Sequence, residues 1–99
     1  MKILLKNAAV YDGTGSPAQR VDGRIEDERI LCVEPDIEPA PDETVYDLTG
    51  LALAPGFIDA HSHNDWFALR KDAVPYFAPF VRQGITTYVA GNCGLSAVG

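Results

Sequence analysis

The chain has 99 residues, enough for one small domain, and its 46% hydrophobic content is ordinary for a soluble globular protein. Fourteen acidic residues against eight basic ones give a formal net charge of −6, and the basic residues are scattered rather than clustered, which excludes the positive face that a nucleic-acid partner requires. No run approaches the roughly 18 consecutive apolar residues of a membrane span, and the amino terminus lacks the apolar segment of a signal peptide. A cytoplasmic location with no membrane partner is therefore expected, and Cys32 and Cys93 are expected to be reduced thiols.

The first half reads as short strands and turns. Residues 3–6 and 8–11 are two apolar pieces without helical spacing, followed by Asp12-Gly13-Thr14-Gly15-Ser16-Pro17, a cluster of turn formers. That loop lacks the G-x-G-x-x-G spacing and the Lys-Ser/Thr of a phosphate cradle. Residues 21–26 and 29–33 alternate in the manner of half-buried strands and are joined by Asp27-Glu28, the spacing of a two-residue hairpin. Glu28 is a poor residue for a turn position with positive φ, so a longer or strained hairpin is expected. Cys32 falls in the alternating pattern and reads as core.

Pro35, Pro39 and Pro41, set among acids between residues 34 and 43, forbid both helix and regular ladder and predict an exposed connection. Residues 44–48, the turn Thr49-Gly50 and residues 51–54 read as a second hairpin. After Pro55 the pattern changes. Residues 56–60 form a short apolar run of the kind expected for a strand buried on both faces. Tyr76, Phe77, Phe80 and Val81 have helical spacing, Pro75 suits a first turn, Pro79 shortens or kinks the helix, and Gly84 suits its end. Residues 85–90 are again β-like, so strand, helix and strand make a βαβ unit with parallel neighbours.

Chemistry concentrates in His61-Ser62-His63. Alternation in an extended backbone puts both imidazoles on one face, where they can converge on one metal ion, and Asp59 shares that face and could orient an imidazole by accepting its other N–H. Alone, such a pair also occurs at strand ends with no role beyond surface hydrogen bonds. Asn64 and Asp65 add oxygen atoms nearby. Ile85, Thr87, Val89 and Gly91 lie on one face of the following strand, and the same alternation brings Cys93 out at its carboxyl end, beside the histidines. A thiolate is a strong zinc ligand, although an isolated cysteine is more often an idle thiol. Asn92 reads as shaping the turn.

Ala54-Pro55-Gly56-Phe57-Ile58-Asp59-Ala60-His61-Ser62-His63 resembles the strand-one motif P-G-F-I-D-x-H-x-H of the amidohydrolase superfamily, and Gly84-Ile85-Thr86-Thr87 with Gly91-Asn92-Cys93-Gly94 is similar to a narrower pattern of its D-aminoacylase branch, the N-acyl-D-amino-acid deacylases. The resemblance covers nearly the whole chain. It implies a β-rich fragment: residues 1–54 as the amino-terminal part of a small, short-stranded β-sandwich domain, and residues 55–99 as the first βαβ unit of a (β/α)8 metallo-dependent hydrolase barrel. It implies zinc as cofactor, held by Cys93 together with histidines from later strands, with His61 and His63 lining a companion metal position; His61, His63 and Cys93 are thus the expected metal ligands of this chain, and Asp59, Asp65 and Asn92 are expected around them. It also implies a small-molecule N-acyl amino acid as substrate, attack by metal-bound hydroxide on the amide carbonyl, and a general acid/base aspartate expected beyond Gly99.

Two positions depart from the family pattern, Glu28 at a turn glycine and Gly23 at an apolar site. Length departs further, because a barrel needs about 250 residues. The chain alone is therefore expected to be inactive, with unpaired strand edges that invite self-association. The alternatives are a non-catalytic β-rich binding or scaffold module and another amidohydrolase of the dihydroorotase or hydantoinase kind.

Overall fold

The computed structural model describes residues 1–91, Cys93 and Gly94. They form two compact units, Met1–Pro55 and Gly56–Gly99. The first is a five-stranded sheet built on β1 (Lys2–Val10). β2 (Gln19–Glu26) pairs antiparallel with β1 on one side, and β3 (Arg29–Glu34) pairs antiparallel with β2. On the other side of β1 lie β4 (Thr44–Asp47) and, further along, β5 (Ala52–Leu53).

The two apolar pieces expected at residues 3–11 are one strand with a bulge. Register with β2 slips between Leu5 and Ala8, and Asn7 takes φ 63°, a left-handed conformation that asparagine tolerates better than most residues. The extra residue has a consequence for the sheet's faces. Leu5 and Val10, an odd number of positions apart, line the same apolar hollow of ≈ 570 Å³ together with Val21, Ile25 and Leu53.

The hairpin expected over residues 44–54 is not one. β4 and β5 both run parallel to β1, paired at Ile3↔Thr44 and Ala9↔Ala52. Between them the chain steps aside and returns: Asp47 Oδ1 accepts the N–H and hydroxyl of Thr49 at 3.0 and 2.6 Å, and Gly50 turns at φ 83°. This excursion faces the bulge, where Asn7 Nδ2 donates to Asp47 Oδ1 at 3.4 Å. Each irregularity accommodates the other.

At the β2–β3 turn only Asp27 takes a positive φ, 51°, so Glu28 is spared the strain expected of it. The length mismatch is taken up inside the ladder instead, where register slips between Arg24 and Ile25.

The proline-rich connection is less exposed than its composition suggests. Ile37 is buried, and with Leu4 and Ala8 of β1 it makes the small core of this unit. Its N–H donates to Asp22 Oδ2 at 3.0 Å, while the other carboxylate oxygen accepts from the Asn7 N–H at 2.8 Å and Lys6 Nζ reaches Oδ2 at 2.6 Å. Burial alone would raise the Asp22 pKa, but these three donors together outweigh it and hold the carboxyl below its ordinary value. Arg24 clamps Glu43 with two nitrogens at 2.6 and 3.1 Å and depresses that carboxyl as well.

The second unit carries β6 (Phe57–Asp59), α1 (Asp65–Ala68), α2 (Ala73–Arg82) and β7 (Ile85–Tyr88). β6 and β7 are parallel neighbours, as expected for strand, helix, strand. The one-turn helix α1 is not foreshadowed by periodicity. Register shifts after Phe57, so Thr86 bulges, and its side chain occupies the place that a Cβ on Gly56 would fill, 2.1 Å from Thr86 Oγ1. Tyr76, Phe77 and Phe80 cluster on α2, and Gly84 ends that helix at φ 85°. The burial expected for β6 is not seen: Phe57 and Ile58 are 68% and 66% exposed, and among the described residues β7 is the strand paired with β6. Among the described residues no helix is long and apolar enough to cross a membrane.

Candidate metal centre

β6 ends at Asp59, so the histidine pair lies beyond the strand, in a bend rather than in the extended backbone anticipated from the sequence. The bend is held by its neighbours. Asp59 O accepts the N–H of Val89 at 2.8 Å, and Ser62 N–H donates to Val89 O at 2.9 Å. Ser62 is buried, and its Oγ accepts the N–H of Asn64 at 3.0 Å. Residues 59, 62 and 64 are thus tied down, while His61 and His63 turn exposed rings toward each other with centroids 5.5 Å apart.

Cys93 reaches the same place by a turn, not by strand alternation. β7 stops at Tyr88, Gly91 and Gly94 take φ 75° and 76°, and Gly94 N–H closes back on Gly91 O at 2.9 Å. Its sulfur lies 3.5 Å from His61 Nε2 and 3.9 Å from His63 Nε2, and donor atoms of the three residues all lie within 4.8 Å of one another. A tetrahedral zinc ion bound at its usual Zn–S and Zn–N lengths holds sulfur and nitrogen about 3.6 Å apart. The three side chains therefore have the chemistry and the spacing to hold one such ion, and all three are exposed.

The surrounding residues divide. Asp59 does not orient an imidazole; its Oδ1 accepts the main-chain N–H of His61 at 3.2 Å, because the chain bends directly after β6. Asp65 is buried in the first turn of α1 and does not join the donor trio. Asn92 lies outside the described residues. Cys32, on β3, takes no part in the cluster. Ser62 and Asn64 hold the bend in a way the sequence reading missed. The Ser-x-Asn spacing, which permits a serine hydroxyl to accept a main-chain N–H two residues on, was the available signal.

Paired imidazoles and a thiol gathered beyond two parallel strands define the class of site, a candidate metal centre. No family model matches the chain. An N-acyl-D-aspartate deacylase of Alcaligenes xylosoxydans xylosoxydans is 46% identical over 93 residues, covering 94% of this chain and 18% of that protein. The crystal structure of N-acyl-D-glutamate deacylase from Bordetella bronchiseptica, complexed with zinc and a phosphonate inhibitor that mimics the tetrahedral intermediate, is 36% identical with a TM-score of 0.80, over 97% of this chain and 19% of that one. A D-aminoacylase structure described for the functional role of its binuclear metal centre is 32% identical with a TM-score of 0.81, over 98% and 20%. The chain belongs to the D-aminoacylase family. It spans about a fifth of the length of the relatives it matches.

Proposed function

We propose that His61, His63 and Cys93 are zinc ligands of an enzyme that hydrolyses the amide bond of N-acyl-D-amino acids. The convergence of two imidazole nitrogens and one sulfur within 4.8 Å carries this reading. Zinc bound there supplies a Lewis acid that polarises an amide carbonyl and activates water. The chain's own residues hold the donors: Val89 anchors the histidine bend by two main-chain hydrogen bonds, and Asp59 fixes the His61 backbone. In this reading the first unit is part of a small β-sandwich domain, and the parallel pair β6–β7 with its helices opens a (β/α)8 barrel, where ligands gather at the carboxyl ends of strands. The relatives are deacylases of N-acyl-D-amino acids and favour that substrate class; no observation favours a non-catalytic module.

Among the described residues the cluster gathers three donors, two imidazoles and a thiol, and in this reading the 99-residue chain by itself is expected not to turn over substrate. Zinc titration tests the site. The chain is expected to bind one equivalent, with binding lost in both Cys93→Ser and His61→Ala. Equal affinity in either variant would remove that residue from the site. Incubation of the zinc-loaded chain with an N-acetyl-D-amino acid should release no free amino acid.

A further inference from the structure

Asn64 stands at the N-cap of α1, a position where asparagine ordinarily turns its side-chain oxygen onto the first free N–H groups of the helix. Here it makes no such cap. Its Oδ1 instead accepts the hydroxyl of Tyr76, twelve residues on, at 3.1 Å. A local preference set aside in favour of a tertiary contact points to a role at that contact.

Tyr76 is well placed to hold what it touches. Its ring stacks on Phe67 with centroids 4.3 Å apart, meets Phe77 edge-on at 5.0 Å and lies 5.8 Å from Phe80. The half-buried ring is flanked by three aromatic rings, which restrict the hydroxyl, and a tyrosine has few torsions to order in any case. Asn64 directly follows His63, and its N–H is bound to buried Ser62, which separates the two histidines. Ordering the backbone of such a bend costs conformational entropy, so every tether on it favours convergent rings.

We propose that Tyr76 is a positioning residue for the metal donors, acting through Asn64 to fix the bend that carries His61 and His63; this rests on the zinc reading above. The link sets the direction of the imidazoles from the aromatic face of α2. Neither Tyr76 nor Asn64 needs to touch the ion.

Cobalt(II) titration of the chain tests this, because a cobalt–thiolate bond gives a near-ultraviolet charge-transfer band. The parent chain is expected to show the band. Tyr76→Phe keeps the ring stack and loses only the hydroxyl, and it should weaken cobalt binding about tenfold and diminish the band at equal helicity, the size of effect typical of groups that orient ligands. Asn64→Leu leaves the aromatic cluster whole and should give the same loss, with the double variant no weaker than either single one. A parent chain without the band overturns the metal reading and this proposal with it. A parent band unchanged in position, intensity and affinity in Tyr76→Phe or in Asn64→Leu overturns the positioning role alone, since a link that merely joined α1 to α2 would lower thermal stability without moving the cobalt signal.

Discussion

The N–H of Ser62 donates to the carbonyl of Val89 at 2.9 Å, and this bond joins the segment that carries the histidines to the segment that leads to Cys93. Strand pairing ends at Asp59↔Tyr88, so the Ser62–Val89 bond extends the alignment past the last ladder position and brings donors from distant parts of the sequence to one place. Ser62 contributes twice, because its Oγ also accepts the Asn64 N–H. Ser62→Ala keeps the main-chain bond and removes the second. The unfolding free energy should fall by about 1 kcal/mol, and zinc affinity should fall with it. Urea unfolding and zinc titration of the same variant check both effects.

Gly56→Ala is expected to be far worse than its size suggests. The new methyl would meet Oγ1, Cγ2 and Cβ of Thr86 at 2.1, 2.4 and 2.8 Å, so the β6–β7 pair must shift. Overpacking of this kind costs about 1–3 kcal/mol. Gly56→Ala combined with Thr86→Gly should recover most of the loss in thermal unfolding, and failure to recover would place the strain elsewhere.

In the first unit Asp22 is buried and accepts from three donors, so its replacement is expected to be costly. Asp22→Ala leaves the N–H groups of Asn7 and Ile37 without their acceptor and Lys6 without its anion. A loss of about 3 kcal/mol is expected, with faster amide exchange at Asn7 and Ile37. Lys6→Met should cost less, because both N–H groups keep their acceptor.

Acid should destabilise the first unit through the same group. The Asp22 carboxyl lies below its ordinary value in the folded chain, so the unfolded chain takes up a proton that the folded chain resists. Its contribution is complete at neutral pH, begins to fall as pH approaches the ordinary aspartate value of about 3.9, and is lost as pH drops through the folded value. Glu43, held by Arg24, and Asp47, held by Thr49, act in the same direction. Chemical denaturation at pH 7 and at pH 3.5 should give a large difference for the parent and a smaller one for Asp22→Asn.

Much of the chemistry was readable without coordinates. His61, His63 and Cys93 are residue types that bind metals, and the pattern of apolar runs, helical spacing and Gly84 was enough to put them near the carboxyl ends of two parallel strands, though not to foresee the bend and the turn that carry them. Local rules also read the Asp27-Glu28 turn and the loop at residues 12–17. These features depend on neighbours along the chain, where residue type and spacing act directly.

What the sequence did not decide depends on partners far along the chain. Residues 44–54 hold two strand-like pieces and a turn, which suits a hairpin as well as two parallel additions to β1; only the bulge at Asn7, matched by the turn at Gly50, selects the second. Asp59 shares a strand parity with the histidines, yet the bend after β6 sends its carboxylate to a main-chain N–H. The buried roles of Asp22 and Ile37 inside a proline-rich acidic segment, and the reach of Tyr76 to Asn64, carry no periodic signal at all. Residue type determined which groups could bind a metal or a proton, whereas the meeting of those groups was decided by tertiary hydrogen bonds between segments with no fixed spacing in the sequence.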